Sequence, residues 1–184
     1  MSSTHELAIF GGGYFWCTEA IFQRVRGVIS VTPGYAGGKI SNPSYEKVSM
    51  GTTGHAEVIQ IEFDSTQSSY EDLVTLFFDV HDSTTKDQQG ADIGTQYRSV
   101  ILTTTEEQAL QAMKIKVALE DSHAFRSAIT TEILPLDQFY TAEEYHKNYF
   151  VENKEQPYCQ FVIAPKVKKF LERHAAIATP EPTV

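Results

Sequence analysis

Hydrophobic and polar positions alternate most clearly in AEVIQIEF, residues 56–63, where Ile59, Ile61 and Phe63 fall on one face. A period of two predicts a β-strand with one buried face. Shorter apolar runs predict four more strands, which span 7–10, 28–32, 98–102 and 129–134. We expect the second of these to end at the Pro33-Gly34 pair, because both residue types favour turns.

Helical spacing of apolar residues predicts helices over 17–25, 70–80 and 166–174. Capping pairs, in which Ser or Thr is followed three residues later by an acidic or amide residue, mark further helix starts. These pairs are Ser69 with Asp72, Thr105 with Gln108, and Thr141 with Glu144. The second pair predicts a helix to about residue 120, and the third predicts a helix that ends at Phe150.

The order of the first six elements is strand–helix–strand–strand–helix–strand, which is the order of a ferredoxin-like, split βαβ sheet. Residues 103–134 add a helix and a fifth strand. We expect a single α+β domain over residues 1–176, with helices packed on the sheet and extra C-terminal helices. The proline-rich tail, residues 177–184, is predicted to be disordered.

Composition excludes several classes of function. The formal net charge of −9 argues against a nucleic-acid or anionic-membrane partner, since both need a basic surface. We find no signal-peptide pattern and no apolar stretch long enough to span a bilayer, so we expect a cytoplasmic protein, and a monomer as the simplest state. Two cysteines are too few for a disulfide scaffold or a cysteine zinc site, and no metal site is predicted.

The stretch GGGYFWCTEA, residues 11–20, carries the candidate chemistry. A glycine run between a strand and a helix lets the backbone turn sharply and approach a ligand. A thiol in the first helical turn is acidified by the helix dipole, and Phe15 and Trp16 would line a small apolar pocket beside it. The alternative is a glycine-rich turn followed by core aromatics, and these residues alone do not decide between the two.

The segment GGGYFWCTEAIF, residues 11–22, resembles the signature of A-type peptide methionine sulfoxide reductases, in which Gly-Cys-Phe-Trp is followed after two residues by Glu. Other segments resemble the family in the same order, and the resemblance extends from about Ala8 to Phe170. They are PGYAGG (33–38), GTTGHAEVIQIEFD (51–64), DVHDSTTKDQQGADIGTQYRSVI (79–101), ITTEI (129–133), FYTAEEYHKNYF (139–150) and PYCQFVIAPKVKKF (157–170).

The resemblance implies reduction of the S-epimer of methionine sulfoxide, free or in proteins, for repair of oxidative damage. A thiolate attacks the sulfur, the oxygen leaves with protons, and the thiol becomes a sulfenic acid. A second thiol then forms a disulfide, which a thioredoxin-like reductant opens. No metal, flavin or nucleotide cofactor is implied.

The resemblance also suggests roles for individual residues. Glu19 would be the acid, because an apolar pocket would raise the pKa of its carboxyl. Tyr35 and Tyr97 would donate hydrogen bonds to the sulfoxide oxygen. Asp92 would orient a partner or bind the substrate backbone.

The remaining predicted site residues are aromatic or carry a thiol. Phe15 and Trp16 would hold the S-methyl group. Cys159 would be the resolving thiol, although a buried thiol without a role is equally compatible with its apolar surroundings.

The resemblance places the nucleophilic cysteine at position 14, where this chain has Tyr14. A phenol, with an ordinary pKa of about 10, cannot form a sulfenic acid. Three interpretations remain open. The nucleophile has been replaced by mutation or sequence error; Cys17, one helical turn on, has taken over its role with Cys159; or the protein binds methionine sulfoxide without reducing it.

Overall fold

The computed structural model describes residues 4–183. It contains eight strands, β1 (His5–Gly12), β2 (Val28–Ala36), β3 (Ala56–Asp64), β4 (Gln88–Gln89), β5 (Asp92–Ile93), β6 (Ser99–Thr103), β7 (Glu132–Pro135) and β8 (Phe139–Thr141). Six α-helices accompany them, α1 (Phe15–Phe22), α2 (Tyr45–Ser49), α3 (Tyr70–Val80), α4 (Glu106–Asp121), α5 (Tyr149–Glu152) and α6 (Ala164–Arg173).

Six strands form one sheet in the order β7-β6-β1-β3-β2-β8, and β4 pairs with β5 in a separate hairpin. The four central strands, β6-β1-β3-β2, pair antiparallel with one another, and their order is that of a split βαβ sheet. This confirms the predicted α+β, ferredoxin-like fold. β7 then extends one edge in parallel with β6, and β8 extends the other edge antiparallel to β2.

The main core lies between the sheet and the helices, because alternate strand residues point to opposite faces. On β1, Phe10 faces the helices, and its ring centroid lies 4.9 Å from that of Phe77 on α3 and 5.7 Å from that of Phe22 on α1. Its neighbour Ile9 belongs to a smaller cluster on the opposite face, against which Phe139 packs. The sheet therefore holds α1 against its larger apolar face.

Most predicted elements are confirmed, and α3 has the predicted bounds. The expected end of β2 at Pro33-Gly34 is wrong, since the strand continues to Ala36. Pro33 has no N–H to donate, but its carbonyl accepts a hydrogen bond from the N–H of Ala142 (2.9 Å). A Cβ on Gly34 would lie 2.3 Å from the Phe139 ring, so close packing of β8 explains this glycine.

The predicted helix from Thr141 through Phe150 is also wrong. Thr141 ends β8, a 3-10 turn occupies Glu144–His146, and α5 starts only at Tyr149. Asn148 between them adopts a left-handed conformation with φ of 53°, which interrupts any continuous helix.

Residues 177–183 lie against the turn after α1. The N–H groups of Thr179 and Thr183 donate to the carbonyls of Arg24 (2.8 Å) and Gln23 (2.7 Å). The last residue of the tail predicted to be disordered, residue 184, lies outside the described residues. Within residues 4–183, none of the helices is long and apolar enough to cross a membrane.

Candidate active site

The glycine run delivers Tyr14 to the start of α1. Gly13, with φ of +96°, turns the chain out of β1, and a Cβ there would lie 2.5 Å from Cγ of Gln89. Only glycine fits both the conformation and the space. Tyr14 is then the residue that precedes the first helical turn, in an extended conformation.

Tyr14 sits in a cluster of aromatic rings. Its ring centroid lies 4.3 Å from Trp16, 5.4 Å from Tyr158 and 6.0 Å from Tyr97, and only 8% of the residue is exposed. Its phenol oxygen lies 2.6 Å from that of Tyr45. Burial and this hydrogen bond raise the pKa of the Tyr14 phenol above its usual range, so the side chain stays neutral.

A buried carboxyl adjoins this cluster. Glu57, on β3, is fully buried, and its Oε2 accepts a hydrogen bond from the backbone N–H of Phe15 at 3.2 Å. Its Oε1 has no hydrogen-bond partner among the described residues. Burial raises the pKa of Glu57 to about 8, although the Phe15 N–H opposes the shift. The carboxyl therefore holds a proton near neutral pH, beside the first turn of α1.

Glu57 is not among the residues predicted for the site, although the sequence pattern contains a signal for it. Residues 57, 59, 61 and 63 have the same parity in β3, so Glu57 shares the buried face with Ile59, Ile61 and Phe63. A lone carboxyl on a buried strand face is costly unless it has a partner or holds a proton. Such a position is a candidate for acid–base chemistry.

Comparison with known proteins identifies the family. The family model described as peptide methionine sulfoxide reductase matches residues 6–178. The chain belongs to the peptide methionine sulfoxide reductase family.

Relatives and solved structures agree with this reductase assignment. The chain is 50% identical to the peptide methionine sulfoxide reductase MsrA of Saccharolobus solfataricus over 167 residues, 91% of this chain and 93% of that one. It is also 50% identical to the MsrA of Nautilia profundicola over 165 residues, 90% and 94% of the two chains. By family, the chain is therefore an oxidoreductase of the peptide-methionine (S)-S-oxide reductase type.

Two solved structures share the fold. Methionine sulfoxide reductase A of Corynebacterium diphtheriae matches with a TM-score of 0.75 and 35% identity, over 83% of this chain and 76% of that chain. Reduced Mxr1 from Saccharomyces cerevisiae matches with a TM-score of 0.78 and 32% identity, over 86% and 91% of the two chains.

Several predicted site residues of this reductase-family chain meet around Tyr14. The Tyr97 ring stacks on the Tyr14 ring at an interplanar angle of 21°. Asp92 joins through Tyr158, whose hydroxyl donates to Asp92 Oδ2 at 2.9 Å. Burial raises the pKa of Tyr97 to about 12, so its phenol remains a hydrogen-bond donor.

The predicted pocket aromatics divide between core and surface. Phe15 is fully buried, and its ring packs against Tyr35 (5.7 Å) and His146 (4.9 Å). Trp16 is half-buried and stacks on Tyr149 with centroids 3.4 Å apart, while its Nε1 donates to Nδ1 of His146 at 3.0 Å. Trp16 thus forms a wall beside Tyr14, and Phe15 forms part of its base.

The structure does not bring Glu19 into this cluster. Its Oε1 accepts a hydrogen bond from the backbone N–H of Asn148 at 2.8 Å, and its other oxygen has no partner among residues 4–183. Burial raises the pKa of Glu19 to about 7, and hydrogen bonds from the backbone of Asn148 and Tyr149 oppose that shift. Glu19 therefore links α1 to the segment before α5.

The phenol of Tyr35 is also directed elsewhere. Its hydroxyl donates to Oε2 of Glu143 at 3.1 Å. The other oxygen of Glu143 accepts the backbone N–H of Tyr45 at 3.1 Å. Tyr45 therefore places its phenol on Tyr14, and sequence reasoning did not single it out.

Both thiols are buried and free. Cys17 is 4% exposed, and its Sγ lies 3.8 Å from the hydroxyl of Tyr158. Burial raises the pKa of the Cys17 thiol, and the charge of Lys166 only partly opposes the rise. Burial likewise raises the pKa of Cys159. Desolvation is therefore the largest influence on the pKa of both thiols.

The search for metal ligands is negative in the described chain. Within residues 4–183, no three His, Cys, Asp or Glu side chains converge as they would around a metal ion.

Proposed function

We propose that this chain carries the substrate site of a thiol-dependent reductase of methionine-S-sulfoxide, free or in proteins, with Tyr14 in the position of the attacking thiol. The observation that carries the proposal is the Glu57 carboxyl, fully buried and bonded to the N–H of Phe15, with one oxygen unpaired. Such a group has a proton to donate exactly where α1 begins, next to the side chain of residue 14.

Proton donation is the step for which this site is built. The sulfoxide oxygen can leave sulfur only if it is protonated, and an acid is most effective when its pKa lies near the working pH. With a pKa of about 8, Glu57 meets that condition. The phenols of Tyr45 and Tyr97 would donate hydrogen bonds to the same oxygen, and Asp92 would act through Tyr158.

The thiol half of the reaction needs a sulfur at position 14. Oxygen is transferred from the sulfoxide to a thiol, so the substrate S–O bond breaks, a sulfenic acid forms, and methionine leaves. A second thiol condenses with the sulfenic acid to a disulfide and releases water, and a dithiol reductant then reduces the disulfide. Tyr14 has no sulfur and stays neutral, so it cannot perform the first step.

A thioredoxin-like dithiol is the proposed reductant. Yeast Mxr1 has been crystallised in complex with Trx2. We place the protein in the cytoplasm as a monomer. Its two free cysteines would remain reduced in that compartment.

The geometry disfavours the two other interpretations of Tyr14. Cys17 is buried, and its raised pKa leaves little thiolate to attack a sulfoxide. A silent binding protein would need an open pocket, yet the Tyr14 ring fills the space between Trp16, Tyr97 and Tyr158. We therefore favour a reductase site that lacks only its thiol.

A single-turnover assay tests this proposal. Tyr14→Cys protein is mixed with an S-epimer methionine sulfoxide peptide without reductant, and Tyr14→Ser is the matched control. We expect the Cys variant to release about one methionine per chain while it loses free thiols, and the Ser variant to release none. A folded Tyr14→Cys protein that releases no methionine would refute the proposal.

A further inference from the structure

A cavity separate from the Tyr14 cluster lies behind the turn at Gly12 and Gly13. It has a volume of about 520 Å³ and is enclosed by the end of α3, the segment at 124–126 and one side of α6. His81 and Gln89, which line it, are also the side chains that a Cβ on Gly12 or Gly13 would meet. The cavity thus adjoins the start of α1, and none of the steps above uses it.

Unpaired cations surround this cavity. Arg126, Lys166 and Lys169 line it, and none of the three makes a hydrogen bond or ion pair with any residue in 4–183. Arg173 adds a fourth positive side chain. Since the whole chain has a net charge of −9, four cations at one cavity are a local excess that favours an anion.

The acidic residues at the cavity are already engaged. Asp79 pairs with His174 at 2.7 Å and with Arg173 at 3.4 Å. Asp82 accepts from the backbone N–H of Thr84 at 2.9 Å and from its hydroxyl at 2.6 Å. Asp79 thus offsets the charge of Arg173. Asp82 leaves one negative charge against the three positive charges of Arg126, Lys166 and Lys169, so the lining keeps a net positive charge.

Part of the remaining lining is apolar. Val80 and Phe125 are partly exposed there and contribute hydrocarbon and aromatic surface, beside the polar side chains of Thr84 and Gln89. His81 adds no charge, because burial lowers its pKa to about 4, and its two ring nitrogens bond to Phe77 and Ser99. The volume is typical of a small-molecule site, and such sites combine an apolar wall with a few placed polar groups.

We propose that this cavity binds a nucleoside di- or triphosphate. The phosphates would lie against Lys166, Lys169 and Arg126, and the base would pack against the partly exposed ring of Phe125. Lysine acts as a point charge for phosphate oxygens, and arginine adds a bidentate fork. An aromatic wall supplies the stacking surface for a planar base. Neither Tyr14 nor Glu57 lines this cavity.

Calorimetric titration of the full chain with ATP, ADP, tripolyphosphate and adenosine tests the proposal. We expect ATP and ADP to bind with dissociation constants below ~1 mM, and each component alone to bind at least about tenfold more weakly than ATP. Lys166→Gln should weaken ATP binding by about fivefold or more, as one lost phosphate contact would.

Lys168→Gln is the matched control. Lys168 lies on the same helix but does not line the cavity, and it faces Glu172 at 3.9 Å. The same charge is removed, so ATP binding should be unchanged. Three results would overturn the proposal: no binding of either nucleotide, equal losses in Lys166→Gln and Lys168→Gln, or tripolyphosphate binding as tightly as ATP. Thermal unfolding of both variants confirms that they are folded.

Discussion

The phenol oxygens of Tyr14 and Tyr45 lie 2.6 Å apart at the start of α1. Tyr45 is held for this contact by its own backbone, whose N–H donates to Glu143. If residue 14 were a cysteine, the Tyr45 phenol would lose this partner and the volume of the Tyr14 ring would become free. Tyr14 therefore both replaces the thiol and, with Tyr45 as its hydrogen-bond partner, fills the pocket.

Glu57 is predicted to be the acid in any active form of this protein. In a Tyr14→Cys background, Glu57→Gln should lower kcat/KM for the S-epimer about a hundredfold or more at neutral pH, because an amide cannot give up a proton. Glu19→Gln in the same background is the matched control and should cost much less, since its carboxyl faces Asn148. Equal losses in both variants would contradict the assignment.

Glu57 should also govern how stability depends on pH. Its pKa is about 8 in the folded chain against an ordinary 4.5, so between these values the folded state binds more protons than the unfolded state. The contribution of Glu57 to the free energy of unfolding therefore falls as pH rises through this window. Glu19, with a pKa of about 7, and His81, with a pKa of about 4, act equally in both proteins, so urea unfolding at pH 5 and pH 8 should show a smaller loss of stability in Glu57→Gln than in the unmodified chain. An unchanged slope in the variant would argue against a buried, protonated Glu57.

Cys17 is expected to react slowly. Because the thiol is buried and its pKa is raised, iodoacetamide at pH 8 should alkylate it at less than about a tenth of the rate seen in urea-unfolded protein. Peptide mass spectrometry separates Cys17 from Cys159. Rapid and selective labelling of Cys17 in the folded chain would instead support Cys17 as the attacking thiol.

Glu19 is expected to position Trp16 rather than to donate a proton. Its carboxyl holds the backbone N–H of Asn148, and the next residue, Tyr149, stacks on Trp16. Trp16 is the only tryptophan of the chain, so its fluorescence reports on this contact. Glu19→Ala should shift the emission to longer wavelength, and Glu19→Gln, which keeps an acceptor oxygen, should restore it. An unshifted emission spectrum in Glu19→Ala would contradict the role of Glu19 in positioning Trp16.

Local sequence patterns predicted much of this fold. Alternation in β3 and the capping pair Ser69 with Asp72 depend on neighbouring residues, and both elements form as expected. The segment after Thr141 did not follow its pattern, because Asn148 bonds to Glu19 on α1 and to Gln23 just after it, more than 120 residues away. Tertiary contacts of that kind override a local capping signal.

The candidate site likewise combines residues that local motifs predicted with contacts that form only in the folded chain. Tyr97, Asp92 and Trp16 were predicted from motifs and do lie near Tyr14. Glu19 was predicted as the acid. In the folded chain the carboxyl that accepts the backbone N–H of Phe15, the first residue of α1, is that of Glu57. The parity of Glu57 in β3 was visible in the sequence, whereas its contact with Phe15 joins residues 42 apart and needed the structure.

The most direct test is release of methionine from an S-epimer methionine sulfoxide peptide by the unmodified chain with excess dithiothreitol, beside the Tyr14→Cys variant. We predict no release above the reagent background from the unmodified chain and repeated turnover by the variant. Turnover by the unmodified chain, abolished by Cys17→Ser, would show that another thiol attacks sulfur. That result would contradict the account of Tyr14 as the residue that replaces the nucleophile and blocks its pocket.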